Sequence, residues 1–376
     1  MKKMISALLA GLPALLFTAC AAAGPPPAQS LPQDAVSLYS HFFYDALDEN
    51  EKGCYLAMYT AIQKEEECCE IPHVSSAQAQ AAYAALLADR PDVYWTRDYW
   101  YQECENGVVF QPEYLFTLAE RGAADSRMTE ALKTLERDVD GLDEYEMART
   151  LFERTVQWVA YEETAENGQT LYGALLQRRA VCAGWARLYQ YLLARQGVET
   201  AYIEGTVEDG ARHAWIAAKI DGEWAYFDPT SAGTQQTQPP PGCRPPPCQY
   251  AFFGMTDADL TALGYKAAAH LALPAATSLS NTYYSRTGNL LSTYDRADVE
   301  ERLAAAVCAG EDTLSLRFLA PEAARQAVED LFGPKQGMLL LLAHIKERVP
   351  ALISDRAYYT FYPELGCLDL YLLQEM

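Results

Sequence analysis

Two alternating runs, His213–Ile220 and Glu223–Asp228, flank the dipeptide Asp221-Gly222. A two-residue Asp-Gly loop takes φ > 0 at both positions and matches the twist of the strands it joins, so it predicts an antiparallel hairpin with Ile220 opposite Glu223. That register sorts every side chain, because successive residues of a strand point to opposite faces. One face carries Ala214, Ile216, Ala218, Ala225 and Phe227 and is expected to meet the core. The other carries His213 and Trp215 opposite Thr230 and Asp228, which makes the imidazole and the carboxylate diagonal neighbours within side-chain reach. The turn residues set this register independently of any chemistry.

A helix and a strand precede the hairpin. Trp185, Leu188, Tyr189, Leu192 and Leu193 recur at the spacing of one buried helical face, and Gly197 supplies a C-terminal stop. Thr200–Val207 reads as a strand and Glu208–Ala211 as a turn. Cys182 then falls at the helix start, with Gly184 permitting close approach in the first turn. Free backbone amides and the helix dipole favour a thiolate there, and the same amides can receive an oxyanion. A cysteine nucleophile, a histidine base and a carboxylate that orients the imidazole form the thiol version of the nucleophilic triad. Cys182, His213 and Asp228 are the candidates. Gln169, shortly before the helix, is a candidate side-chain oxyanion donor, and Trp185 and Trp215 are candidates for lining an acyl-binding slot.

The three motif blocks are Ala180-Val181-Cys182-Ala183-Gly184-Trp185-Ala186, His213-Ala214-Trp215 and Tyr226-Phe227-Asp228-Pro229-Thr230. In order and spacing they resemble those of the transglutaminase-like superfamily. Tyr172–Leu176 and Phe252–Asp257 look like its bacterial members, and Ala88–Trp95 and Asn281–Tyr284 resemble flanking segments of the secreted ones. Two positions depart from the pattern: Ile216 stands where Asn is usual after His-Ala-Trp, and Ser231 where an aromatic usually follows Asp-Pro-Thr. The resemblance implies an α+β fold with a papain-like core, in which the nucleophile helix packs on an antiparallel sheet. It also implies a thioacyl-enzyme formed from a peptide or protein amide, with no cofactor. Water as the resolving nucleophile gives a peptidase or amidase, a lysine-type amine gives a crosslinking transferase, and hydrolysis is the favoured direction. The alternative is an inactive surface module that binds peptide or cell-wall polymer; the intact triad argues against it.

Outside this segment the chain suggests an exported protein. Lys2 and Lys3 precede a largely apolar run to Phe17 that is shorter than the ~20 residues of a membrane span, and Phe17-Thr18-Ala19-Cys20 follows. Small residues before a cysteine resemble a bacterial lipobox, which predicts a signal peptide over residues 1–19 and lipidation of Cys20. Residues 20–35 would be a Pro-rich tether anchoring the chain to the membrane. The expected domains are a mostly helical N-terminal region with a β-hairpin (36–125), a catalytic domain (126–265) with a Pro-rich loop at 235–247, and a small C-terminal α+β domain (266–376). In the N-terminal region the pattern is helical from Ser37 to Arg90, and a helix is expected over Ser126–Asp140. Ten cysteines in an exported chain suit disulfides. Cys243 with Cys248, and Cys308 with Cys367, are the candidate pairs, while no histidine stands near them at zinc-site spacing. With a formal net charge of −22 and no basic stripe, nucleic acid is not an expected partner.

Overall fold

The computed structural model describes residues 41–234, 246–268, 273–349 and 354–373, without the side chains of residues 97, 98 and 100. The expected leader at 1–19, Cys20 and the expected tether, most of the Pro-rich loop and Cys243 lie outside the described residues.

The protein is α+β, with antiparallel pairing dominating its sheets. Two helices, α1 (Phe42–Ala46) and α2 (Glu49–Gln63), lead into a short strand, β1 (Cys69–Pro72). This strand corrects the expectation of an unbroken helical pattern up to Arg90. It is held by pairing with β3, Cys69 opposite Phe110, and four residues are too few to show a period of their own. Helix α3 (Ser76–Asp89) starts at the Ser75 cap, where a capping box with Gln78 satisfies the first amides. The hairpin β2 (Thr96–Cys104) and β3 (Gly107–Tyr114) completes a three-stranded sheet.

Helix α4 (Leu118–Leu135) begins eight residues before the expected Ser126, because Thr117 and Glu120 form a capping box there. Asp143 caps α5 (Glu144–Trp158) through the amide of Glu146 at 2.8 Å. A parallel pair of two-residue strands, β4 (Ala160–Tyr161) and β5 (Arg179–Ala180), brackets a π-helical turn at Gly173–Gln177. Then come α6 (Cys182–Arg195), β6 (Thr200–Thr206), β7 (Arg212–Ile220), β8 (Glu223–Phe227), α7 (Pro229–Thr234), β9 (Phe253–Met255), α8 (Asp257–Ala262) and β10 (Lys266–Ala267). The five-stranded sheet runs β10-β6-β7-β8-β9. Ile220 faces Glu223 and both loop residues have positive φ, Asp221 at 50° and Gly222 at 82°, as the turn residues required.

Both faces of that sheet are covered. Helix α6 packs on the face of Ile216 and Phe227, and Trp215, Ala217 and Tyr226 on the other face are equally buried. The Tyr226 hydroxyl lies there within hydrogen-bond distance of two acceptors, Asp257 Oδ1 at 2.9 Å and the Pro274 carbonyl at 2.8 Å. One hydrophobic core continues from Phe43 through this sheet to Tyr284. The N-terminal helices are fastened to α6 by hydrogen bonds as well. Arg187 and Gln190 of α6 donate to the Leu87 and Ala88 carbonyls at 2.6 and 2.7 Å, satisfying the C-terminal end of α3.

The C-terminal region holds α9 (Tyr283–Arg286), β11 (Leu290–Leu291), α10 (Arg296–Cys308), β12 (Thr313–Phe318), α11 (Pro321–Phe332), α12 (Gly337–Arg348), β13 (Ala357–Tyr362) and β14 (Cys367–Leu372). Its four-stranded sheet runs β11-β12-β14-β13 and has its own core. Period-two alternation points Leu368, Leu370 and Leu372 into that core, while Tyr371 accepts from Gln249 of the preceding region at 3.4 Å. Across the same boundary Arg317 donates through both terminal nitrogens to the buried Asp259 carboxylate of α8. Removing one partner of a buried pair leaves an uncompensated charge, so Arg317→Met is expected to cost about 3–5 kcal/mol in denaturant unfolding. A loss below about 1 kcal/mol would show that the two regions hold together without this clamp.

Every cysteine among the described residues is free. The expected Cys308–Cys367 bond is therefore not formed: Cys308 ends α10 in an exposed position, whereas Cys367 is buried in β14 with its thiol against the Leu365 carbonyl at 3.7 Å. Cys248 is buried as a thiol. No helix among the described residues is long and apolar enough to cross a membrane.

Candidate active site

Cys182 is the first residue of α6, preceded by the extended Val181, which offers no capping side chain. The opening amides of the helix are consequently left without a side-chain acceptor, beside the sulfur. The chain is pressed against this point from behind. The Val181 amide donates to the Gly168 carbonyl at 3.1 Å. A Cβ on Gly184 would sit 2.4 Å from the same oxygen and 2.7 Å from the Ala180 Cβ. Gly184→Ala is thus an overpacking change, expected to cost about 1–3 kcal/mol by chemical denaturation and to displace the 168–170 segment from the nucleophile. An alanine variant as stable and as thiol-reactive as its parent would contradict that tight fit. Gln169 is exposed within this segment, placed next to the helix start but without a hydrogen bond to the site.

His213 lies on β7 where the ladder to β8 has already ended, since pairing with β8 reaches only from Ile220 to Ile216. Its strand neighbour Gly205 on β6 leaves room for the Trp215 ring, which a Cβ there would approach to 2.8 Å. The imidazole stacks on Trp215 at 6.2 Å between centroids and meets the Tyr265 ring edge-on at 5.8 Å. His213 Nε2 donates to Asp228 Oδ2 at 2.7 Å, which leaves Nδ1 to face the Cys182 side chain, whose proximity helps to raise the ring's pKa. The sequence-derived diagonal is a direct contact, and the three candidate residues converge.

Asp228 is fully buried at the end of β8. Its Oδ1 accepts the Ser231 amide at 3.0 Å, the bond of an N-cap, with Pro229 at the first position of α7 where its missing N–H costs nothing. Its Oδ2 accepts from His213 and from the Tyr265 hydroxyl. Burial opposes the charge, but the imidazolium and these donors win and hold the carboxyl below its usual range. Burial likewise disfavours the charged form of His213, yet the Asp228 carboxylate and the Cys182 side chain together raise its pKa to about 10. At neutral pH an imidazolium therefore faces the Cys182 sulfur.

Tyr265 and Ser231 are the site residues that the sequence reading missed. Tyr265 reaches Asp228 because β10 pairs with β6, Lys266 opposite Thr206, which lays the preceding residue beside His213. Its hydroxyl also lies 3.1 Å from Ser231 Oγ. No local pattern marks either residue. Ser231, where an aromatic was the usual residue, thus supports the Asp228 carboxylate directly. Ile216 is core, as its face required.

The two tryptophans are corrected. Trp185 is buried against Gly233 of α7, and Trp215 is buried between His213 and Tyr265, so neither lines an acyl slot. Their side of the hairpin and helix is covered by segments distant in sequence. The open space lies elsewhere: a cleft of about 700 Å³ adjoins His213, with Tyr161, Thr230, Tyr265 and Tyr362 among its walls.

Residues 133–229, a span that includes Cys182, His213 and Asp228, match the sequence model of the transglutaminase-like superfamily. No curated protein matches the chain. Among solved structures it is similar to one described as a TGase, with 14% identity, a TM-score of 0.28, and coverage of 44% of this chain and 50% of that one. It is also similar to a presumed cysteine protease from Cytophaga hutchinsonii, with 22% identity, a TM-score of 0.25, and coverage of 28% and 37%. A presumed protease from Parabacteroides distasonis overlaps 36% of this chain and 37% of its own at 10% identity and a TM-score of 0.23. The chain thus spans half the length of the first of these proteins and less of the other two.

Proposed function

The chain carries a transglutaminase-like superfamily domain over residues 133–229, and from that premise we propose that it is a thiol acyl-enzyme acting on peptide or protein amides. The observation that carries this reading is one imidazole hydrogen-bonded to a fully buried carboxylate and electrostatically coupled to a cysteine at an uncapped helix start.

Each residue then has a step. The Cys182 thiolate attacks the amide carbonyl, and the oxyanion forms where the first amides of α6 point, with Gln169 beside them. His213, held protonated by Asp228, gives its proton to the departing amine as the tetrahedral intermediate collapses to a thioester. The neutral imidazole then takes a proton from the second nucleophile, whose attack regenerates the thiolate. Asp228 keeps its charge throughout and maintains the ring orientation, with Tyr265 and Ser231 fixing the carboxylate. Water as second nucleophile makes the protein a hydrolase, which we favour; a primary amine makes it a transferase.

Intact-mass analysis with an activated ester, in the presence and absence of a primary diamine, separates these outcomes. An acyl adduct on Cys182 that water discharges supports hydrolysis. A faster discharge that yields the diamine amide supports transfer. Absence of any adduct at Cys182 would falsify the acyl-enzyme reading. We propose further that the chain is exported and held at a membrane surface by lipid on Cys20. A Cys20→Ala variant should then move from the detergent phase to the aqueous phase on partitioning; identical partitioning of variant and parent would end that proposal.

A further inference from the structure

Three carboxylates that the reaction does not use stand around the cleft next to His213. Glu208 and Asp209 come from the turn between β6 and β7, and Glu364 from the turn between β13 and β14. All three are exposed, and no lysine or arginine is among the described residues of the cleft wall. Glu208 and Glu364 have no hydrogen-bond or ion-pair partner among the described residues; Asp209 accepts only the Ala211 amide, at 2.8 Å. Two tyrosines, Tyr161 at 45% exposure and Tyr362, add aromatic surface to the same walls. A separate feature points to an occupant. Thr230, 3% exposed, lines the cleft, and its buried hydroxyl has no hydrogen-bond partner among the described residues. A buried unmet polar group beside an open cleft is a place for a ligand's hydrogen bond.

We propose that this cleft binds the cationic side chain of a basic residue on the leaving-group side of the peptide substrate, with Glu208, Asp209 and Glu364 as specificity residues. The side follows from His213, which borders the cleft and delivers its proton to the departing amine. Carboxylates without an ion-pair partner among the described residues supply the charge complement, and tyrosine faces suit a cation entering between them. The inference rests on the acyl-enzyme reading for its placement and gives the C-terminal sheet a function, because Glu364 and Tyr362 are its contribution to the substrate site. A guanidinium serves as well as an ammonium here: the cation is a binding determinant, not the attacking group.

The test uses the full chain carrying Cys182→Ala, so that binding is read without turnover. Calorimetric titration compares two acetylated tripeptide amides, Gly-Arg-Gly and Gly-citrulline-Gly, which differ in charge but hardly in shape. The arginine peptide is expected to bind about tenfold more tightly, with the ratio falling as ionic strength approaches 1 M, where the Debye length is about 3 Å. Adding Glu208→Gln, Asp209→Asn and Glu364→Gln together should bring the two peptides within about twofold, while Glu364→Gln alone removes part of the preference. Circular dichroism establishes that these surface variants remain folded. Equal affinities for arginine and citrulline, no binding of either, or a preference that survives the triple change would overturn the proposal. A wild-type Cys182 that never acylates, with the arginine preference intact, would instead sink the catalytic reading and leave the cation site standing.

Discussion

Replacing Cys182 with alanine is expected to lower amide turnover by about six orders of magnitude, the loss typical of removing the nucleophile from a triad. The folded state should scarcely notice. Cys182 is only partly buried at the first position of α6, and alanine is a better helix former, so the unfolding midpoint should stay within about 0.5 kcal/mol of the parent. Labelling by iodoacetamide at neutral pH gives a second readout. Because Cys68, Cys104 and Cys308 are also exposed, it must be read by peptide mapping at position 182. The parent should label there well before the other three, since only this thiol faces an imidazolium. Turnover in the alanine variant comparable with the parent would remove the thiol from the chemistry. Labelling at 182 no faster than at 308 would remove its activation.

The second large effect belongs to Asp228→Asn. The amide keeps the shape of the carboxylate but not its charge, and it can leave the imidazole in the wrong tautomer. By analogy with the serine version of the triad, kcat should fall by about 10⁴. The pH profile should change with it. In the parent, His213 is raised to about 10, so the alkaline limb of kcat/KM belongs near that value. Without the carboxylate only burial and the sulfur remain to act on the ring, and burial lowers it. The alkaline limb should accordingly drop toward or below the ordinary histidine value of about 6.5. Stability carries the same signature. A histidine raised above its unfolded value contributes fully below about pH 6.5 and loses that contribution as pH rises through about 10. The parent should therefore lose more thermal stability between pH 7 and 10 than the asparagine variant. Parallel stability curves, with the alkaline limb unmoved, would show that Asp228 does not set the charge of His213.

Local chemistry accounts for much of this protein. Capping residues account for two helix starts in the structure, Ser75 for α3 and Asp143 for α5, because an N-cap satisfies amides within three residues of itself. The Asp221-Gly222 turn determined the register of β7 on β8, and with it the pairing of His213 and Asp228. Where the local signal was overlooked, as with the Thr117–Glu120 capping box, the reading misplaced α4 by two turns. A four-residue strand such as β1 gave no periodic signal at all.

Determined by the sequence alone were helix α6, the hairpin and the order of the three candidate residue types, since each depends on interactions between residues a few positions apart. Only the tertiary structure decided what surrounds them. Pairing of β10 with β6 brings the Tyr265 hydroxyl to Asp228 across thirty-seven positions. Covering segments turn Trp185 and Trp215 into core instead of cleft wall. Folding the C-terminal sheet against α8 places Glu364 on the same cleft as Glu208. Such contacts rest on burial and long-range pairing, whose partners are chosen by the shape of the whole molecule and leave no imprint on any short stretch of chain.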